Sequence, residues 1–107
     1  MEDEPVVVMV AVPSRDVAQT IAHELVGKGL AACVQALPVA STYRWQGEVE
    51  SAEEILLLVK TRAGLFGALE ADVVALHPYE VPEIVSMPTD ALHGPYRDWL
   101  FRETQRR

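Results

Sequence analysis

The hydrophobic pattern begins with an unbroken valine-rich run, VVVMVAV at residues 6–12, which is typical of a strand buried on both faces. Pro13 ends the run, and Ser14 offers a side-chain oxygen for a helix N-cap. Gly27 and Gly29 then mark the end of a helix. Its apolar stripe recurs at helical spacing: Val17, Ala18, Ile21, Ala22, Leu25 and Val26.

The middle of the chain predicts two strands joined by a hairpin. One strand runs from Ala31 to Leu37 and is ended by Pro38. The sequence STYRWQGEVES follows at residues 41–51, with Gln46-Gly47 as a tight turn between alternating side chains. The returning strand ends in ILLLVKT at residues 55–61, which is apolar enough to lie in the centre of a sheet.

A second helix and a final strand complete the predicted fold. Leu65, Leu69, Val73 and Leu76 share one helical face, and a short strand is predicted around Ile84 to Met87. A C-terminal helix follows, with Pro95 in its first turn and an apolar face of Tyr96, Trp99 and Leu100. The order β-α-β-β-α-β predicts an α+β, ferredoxin-like fold, an antiparallel sheet with helices on one face.

Composition supports one domain, residues 1–107, with a sizeable core, since half of the residues are hydrophobic. Nine basic against 16 acidic residues give a net charge of −7, which disfavours nucleic acid as a partner. The N-terminal MEDEP is acidic, and the run at 6–12 is too short to span a bilayer. Together with the single Cys33, these features predict a cytoplasmic protein without a membrane segment.

The predicted sheet leaves one face without helices. Part of ILLLVK and the aromatic residues Tyr43 and Trp45 of the hairpin would lie exposed there. This apolar surface is larger than a monomer normally exposes. We therefore expect copies of the chain to associate through this face and through edge strands.

The segment HPYEVPEI, residues 77–84, connects the second helix to the last strand. In one interpretation Pro78 and Pro82 stiffen the loop, so that His77, Tyr79, Glu80 and Glu83 present nitrogen and oxygen ligands. In the other, His77 has a structural role at the end of the helix, because the residue before a proline leaves the helical region.

Other candidate residues have two interpretations each. Cys33 is either a small buried apolar residue or a soft ligand that, with imidazole, suits copper or zinc. Lys60 either extends to the sheet edge or faces an acidic pocket. The hairpin carboxylates are interpreted as a solvated flank: Glu48, Glu50, Glu53 and Glu54. The chain contains no P-loop, G-x-G-x-x-G, nucleophile elbow or zinc-protease motif, so we do not expect an enzyme.

Several segments in order resemble the CutA divalent-cation-tolerance proteins: VVVMVAVPS, KGLAACVQALP, STYRWQGEVE, EILLLVKT, LHPYEVPEIVSMP and the terminal Y-x-x-WL. The resemblance covers about Val6 to Leu100. It implies a cytoplasmic homotrimer of ferredoxin-like subunits, similar in shape to the PII signalling proteins, with hairpins that pair between subunits. It also implies binding of copper or another divalent cation, without an established reaction.

The resemblance implies that His77 corresponds to the histidine of the family's H-P-Y motif. It also implies that Cys33 corresponds to the cysteine of the family's A-A-C strand. Some relatives have a further cysteine where this chain has Val10, and a further histidine where it has Leu76. The resemblance also implies that Tyr43, Trp45, Lys60 and Glu83 line a groove between subunits.

Three functions follow as hypotheses from these residues. The first is a trimeric metal-binding protein that uses His77, Glu80, Glu83 and Cys33. The second is a PII-like regulatory module that binds an anionic metabolite near Lys60 and Arg44. The third is a structural trimer that acts as a scaffold for other proteins.

Overall fold

The computed structural model describes residues 3–104 and contains a four-stranded antiparallel sheet in the order β2-β3-β1-β4. The elements are β1 (Pro5–Val12), α1 (Arg15–Gly27), β2 (Cys33–Trp45), β3 (Glu48–Arg62), α2 (Phe66–Leu76), β4 (Ile84–Pro88) and α3 (Gly94–Glu103). A single 3-10 turn, Ala63–Leu65, precedes α2. This confirms the predicted ferredoxin-like fold with an additional C-terminal helix.

The core lies between one face of the sheet and the helices α1 and α2. The Ser14 side chain caps α1 by accepting a hydrogen bond of 3.3 Å from the Val17 backbone N–H, as the sequence predicts. Alternate residues of β1 and β3 point into this core, because side chains of a strand alternate between its faces. The core residues from strands and helices include Val6, Val8, Val10, Val12, Ile21, Leu25, Leu57, Val59, Leu69 and Val73.

The prediction that Pro38 ends the second strand is wrong. β2 continues through Pro38 to Trp45, and Pro38 lies opposite Ile55 in the ladder with β3. β2 is an edge strand, so a residue without a backbone N–H is tolerated where that group would point to solvent. The strand therefore crosses the proline and carries the chain into a long hairpin.

The hairpin extends beyond the body of the sheet. β1 pairs with β3 only from Pro5↔Arg62 to Val12↔Ile55, whereas β2 and β3 stay paired as far as Trp45↔Glu48. At the tip Gln46 and Gly47 have φ values of 51° and 84°, the left-handed pair that a two-residue hairpin turn requires. The predicted turn at Gln46-Gly47 is thus confirmed, and the molecule is elongated, with a long axis of 44 Å.

The face opposite α1 and α2 is not wholly bare, contrary to the expectation from sequence. Arg62 alternates with the buried Thr61 of the core face, so its side chain lies on the opposite face. There its Nε donates a 3.0 Å hydrogen bond to Thr104 Oγ1, and Nη2 donates to the Phe101 carbonyl oxygen. The guanidinium also lies 4.5 Å from the centre of the Phe101 ring. α3 therefore covers one end of this face.

The rest of that face is apolar and incompletely covered; we call it the open face. Its side chains come from all four strands: Val7, Met9, Leu37, Leu56, Leu58, Val85 and Met87. Leu37, Val85 and Met87 are 40%, 44% and 38% exposed, although each lies in a strand beside other apolar residues. A contiguous apolar surface of this kind is characteristic of an interface.

We expect Arg62→Lys to loosen α3 selectively. Lysine keeps the positive charge but cannot form the two hydrogen bonds while it stacks on Phe101. The expected loss is about 2 kcal/mol, which corresponds to the loss of one hydrogen bond to a charged group. Hydrogen exchange of the backbone amides in residues 94–103 should accelerate more than that of β1. Arg15→Lys, at an exposed position of α1, is the matched control and should leave both rates unchanged.

Candidate functional site

His77 is a buried residue at the end of α2. It occupies the core-facing position that the sequence pattern predicted for Leu76. Leu69, Val73 and His77 recur four residues apart, and His77 is only 7% exposed, whereas Leu76 is 36% exposed. α2 ends at Leu76 and the His77 backbone turns to an extended conformation, with φ −83° and ψ 133°, as expected for a residue before proline. The predicted helix end is confirmed.

Both ring nitrogens of His77 have backbone partners. Nε2 lies 2.7 Å from the Ala11 carbonyl oxygen, and the Tyr79 N–H donates a 3.1 Å hydrogen bond to Nδ1. A carbonyl oxygen can only accept and an N–H can only donate, so the neutral ring with its proton on Nε2 satisfies both bonds. For His77 to bind a metal ion, one of these hydrogen bonds has to break.

Tyr79 joins this loop to the hairpin. Its hydroxyl donates a 2.8 Å hydrogen bond to Glu54 Oε2, and Glu54 is 7% exposed. Partial burial, followed by the hydrogen bond to Glu54 and its charge, raises the pKa of Tyr79 to about 12. The phenol therefore stays a proton donor to the buried carboxylate throughout the physiological pH range.

This hydrogen bond gives an expected pH dependence. The pKa of Tyr79 is raised from 10.0 to about 12 on folding, so its contribution to stability is complete below pH 10 and is lost as the pH rises towards 12. Wild type should thus be more stable than Tyr79→Phe at pH 8, and the difference should shrink between pH 10 and pH 12. Urea unfolding at a series of pH values measures it.

Ser41→Ala is the control for the Tyr79 measurement, because it removes a serine hydroxyl, which does not ionise in this pH range, and leaves the bond to Glu54 intact. Its difference from wild type should stay constant over the same pH range. A difference for Tyr79→Phe that did not change between pH 10 and pH 12 would contradict the stabilising role of the Tyr79–Glu54 bond.

The hairpin and the loop after α2 enclose a cavity of about 760 Å³, which we call the groove. Its walls come from Ala11, Ser41, Thr42, Tyr43, Trp45, Glu54, Pro78, Tyr79, Glu80, Val81, Pro82 and Glu83. Five residues singled out in the sequence therefore lie together: Tyr43, Trp45, Tyr79, Glu80 and Glu83. Pro78 and Pro82 form part of the wall and restrict the loop that carries Glu80 and Glu83.

Cys33 and Lys60 lie elsewhere. They face each other in the β2–β3 ladder. His77 lies towards the other end of the sheet, beside Ala11, which pairs with Leu56 of β3. Leu56 also pairs with Leu37 of β2. Four residues of strand, about 13 Å, separate the two positions, so one subunit does not bring Cys33 to His77. Lys60 Nζ donates a hydrogen bond to Gln35 Oε1. Burial raises the pKa of Tyr96 on α3, and the nearby Cys33 adds to the rise.

The groove is acidic. Glu54, Glu80 and Glu83 line it, and among residues 3–104 no lysine, arginine or histidine does so. These carboxylates do not converge on one point, because the described part of the chain has no group of three His, Cys, Asp or Glu residues able to hold a metal ion. The geometry thus favours positively charged ligands, without forming a complete metal cage from one subunit.

Glu54 is the charged groove residue that the sequence did not identify as part of the site, since it was interpreted there as part of a solvated flank. A signal was present in the period-two pattern of β3. Glu54 shares its face of the strand with Leu56 and Leu58, and Tyr79 of the loop after α2 contacts it there. A carboxylate that precedes apolar residues at every second position of a strand is a candidate for a buried hydrogen-bond acceptor.

The chain folds as a ferredoxin-like sheet with an overlong hairpin, and an acidic groove lies between that hairpin and a proline-bounded loop. These features define a class of small α+β proteins with an extended hairpin. The family model described as CutA1 divalent ion tolerance protein matches residues 6–103. The chain belongs to the CutA family.

Known relatives are similar over most of this chain. The divalent-cation tolerance protein CutA of Thermus thermophilus is 52% identical over 99 residues, which are 92% of this chain and 96% of that protein. Protein CutA of Mus musculus is 39% identical over 90% of this chain, and the chain spans only 55% of it. The chain therefore corresponds to nearly the whole bacterial relative and to about half of the mammalian one.

Solved structures share the fold. The divalent cation tolerance protein of Thermus thermophilus has a TM-score of 0.92 at 51% identity, with 94% of this chain and 99% of that chain covered. The periplasmic divalent cation tolerance protein CutA of Archaeoglobus fulgidus has a TM-score of 0.93 at 33% identity and the same coverage. Within residues 3–104, no helix combines the length and apolarity needed to cross a membrane.

Proposed function

We propose that this protein is a homotrimer that binds divalent cations, copper among them, and contributes to metal tolerance without catalytic turnover. The observation that carries the proposal is the acidic groove beside the exposed apolar face of the sheet. The family name supports the link to divalent cations. We also propose a cytoplasmic location, which the single cysteine supports. Relatives include a protein described as periplasmic and one described as chloroplastic.

Self-association follows from the open face and the hairpin. Leu37, Val85 and Met87 are exposed on a surface where apolar residues of four strands adjoin. Burying such residues stabilises an assembly by roughly 25 cal/mol per Å² of apolar area. The projecting two-stranded hairpin also offers unpaired backbone groups on its edges to neighbouring copies. Around a threefold axis each chain would contact its two neighbours through two different patches, so that the ring closes with each patch paired.

Within this trimer, Glu80 and Glu83 are the proposed cation ligands. Both lie exposed on the loop that walls the groove, and carboxylate oxygens bind divalent ions. His77 would join them only after giving up a backbone hydrogen bond, and Cys33 only from another subunit or at a separate site. A site built on exposed carboxylates alone binds Cu²⁺ more weakly than one with imidazole or thiolate ligands.

Calorimetric titration with Cu²⁺ tests the assignment of these four residues. We expect wild type, His77→Ala and Cys33→Ala to bind with the same affinity, and the double variant Glu80→Gln, Glu83→Gln to bind at least about tenfold more weakly, a loss of about 1.4 kcal/mol. Glu48→Gln, Glu50→Gln is the matched control, since it removes two carboxylates from the hairpin outside the groove lining.

Other results of this titration would change the assignment of the ligands or contradict it. Weaker binding by Cys33→Ala would place the cysteine among the ligands. Weaker binding by His77→Ala would do the same for the histidine if that variant were as stable as wild type, and equal affinity in every variant would remove all four residues from the site. Absence of binding to wild type would contradict the metal-binding proposal.

The acidic lining gives less support to an anionic metabolite. That alternative depends on Lys60 and Arg44, which lie opposite Cys33 and Val49 in the β2–β3 ladder. Eleven residues along β2, roughly 36 Å, separate these two positions. Arg44 donates a hydrogen bond to the Gly47 carbonyl oxygen at the hairpin tip. The two cations therefore cannot hold one small anion in a single subunit.

A further inference from the structure

We propose that the groove binds a linear aliphatic polyamine, an organic cation whose ammonium groups are separated by methylene segments. This goes beyond the proposed function, since it requires neither a bound metal ion nor a particular number of subunits. Three features of the groove carry it: the sign of its charge, the aromatic rings in its walls and the way its carboxylates are distributed.

The sign of the charge comes from Glu54, Glu80 and Glu83, with no basic side chain in the lining among residues 3–104. Glu54 differs from the other two, because it is 7% exposed and is held by the hydrogen bond from Tyr79 Oη to its Oε2. A charged group fixed at low exposure attracts a cation more strongly than one in bulk water. Glu54 is therefore the anchor for one ammonium group.

Aromatic rings provide the second feature. Tyr43, Trp45 and Tyr79 line the same cavity and remain 42%, 41% and 36% exposed. Exposed aromatic rings beside carboxylates suit ammonium groups, which are attracted to the ring faces, and methylene segments, which pack on them. A hydrated metal ion gains little from such walls, whereas an organic ammonium ion uses both the rings and the carboxylates.

The distribution of charge selects a long ligand over a compact one. The three carboxylates share one cavity but form no cluster that could hold a metal ion, as far as residues 3–104 are concerned. Glu54 belongs to the hairpin, whereas Glu80 and Glu83 belong to the loop on the other wall. A ligand with several separated charges satisfies both walls, and a volume of about 760 Å³ accommodates a chain of that kind.

Isothermal titration calorimetry with spermidine, using the intact protein in chelator-treated buffer, tests the proposal. We expect a saturable site in wild type whose affinity is at least about tenfold lower in Trp45→Leu and in Glu54→Gln, each corresponding to about 1.4 kcal/mol. Leucine keeps an apolar side chain but removes the aromatic ring. Glutamine keeps an acceptor for the Tyr79 hydroxyl but removes the charge.

Two controls separate this site from general attraction to a protein of net charge −7. Glu70→Gln removes one exposed carboxylate from α2, outside the groove lining, and should leave the affinity within about twofold. 1,5-Pentanediol, which is an uncharged chain with polar ends, should not bind. An equal loss in Glu70→Gln and Glu54→Gln, equal binding of the diol, or no saturable binding of spermidine would each overturn the proposal.

The outcome is independent of the proposed function. Failure of spermidine to bind leaves the Cu²⁺ titration and the assembly state unaffected. Conversely, a monomeric protein or one that does not bind Cu²⁺ would still show the spermidine site if the groove acts as described. Circular dichroism of Trp45→Leu and Glu54→Gln establishes that each variant is folded before its affinity is compared.

Discussion

Replacing His77 with alanine is expected to lower the free energy of unfolding by about 3 kcal/mol, since a buried backbone group without its partner costs about 1–3 kcal/mol and this change affects two of them. The ring accepts from the Tyr79 N–H and donates to the Ala11 carbonyl oxygen, so it joins the loop after α2 to β1. Alanine also leaves a space where the ring packs at 4.7 Å from the Tyr79 ring. Chemical denaturation at a fixed protomer concentration measures the loss.

His23→Ala is the matched control, because it makes the same substitution at an exposed position of α1. It should change the free energy of unfolding by less than about 0.5 kcal/mol, as surface substitutions usually do. If His77→Ala were as stable as wild type and bound Cu²⁺ more weakly, the histidine would be a ligand and its structural role would be contradicted.

Replacing Val85 with aspartate is expected to dissociate the assembly. Val85 lies on the open face opposite Met9, and it is 44% exposed in one subunit. A carboxylate buried there without a partner costs about 3 kcal/mol or more, so association should weaken at least about a hundredfold. Sedimentation velocity at micromolar concentration should show this variant as a monomer, with the secondary structure of wild type by circular dichroism.

Val74→Asp is the control for the open face. Val74 is 53% exposed, slightly more than Val85, but it belongs to α2 on the opposite side of the sheet. Aspartate there should leave the assembly unchanged. Dissociation by both variants would show that a general loss of stability is responsible, and dissociation by neither would remove the open face from the interface.

The sequence predicts the fold well because its strongest signals are local. The run at residues 6–12, the cap at Ser14 and the turn at Gln46-Gly47 each depend on neighbouring residues, and each appears as predicted. Pro38 is different, since its effect depends on whether the strand lies at an edge of the sheet. Whether a strand lies at an edge of the sheet is a property of the whole topology, so the residues that neighbour Pro38 in the sequence do not reveal it.

The site is only half predictable from the sequence. The HPYEVPEI segment identifies the loop, but the hydrogen bond from His77 to Ala11 links residues 66 positions apart along the chain. Likewise Glu54 becomes a buried acceptor only because Tyr79 comes to it from a distant segment. The contact of Arg62 with α3 also depends on tertiary packing. Such long-range partners decide which of two interpretations of a histidine or a carboxylate applies.

Assembly of the chains through the open face is the basis of the proposed trimer, and sedimentation equilibrium of the wild-type protein at micromolar concentration tests it directly. The proposed trimer predicts a single species of about 35 kDa, three times the 11.8 kDa of one chain. A folded species of 11.8 kDa at that concentration would contradict it.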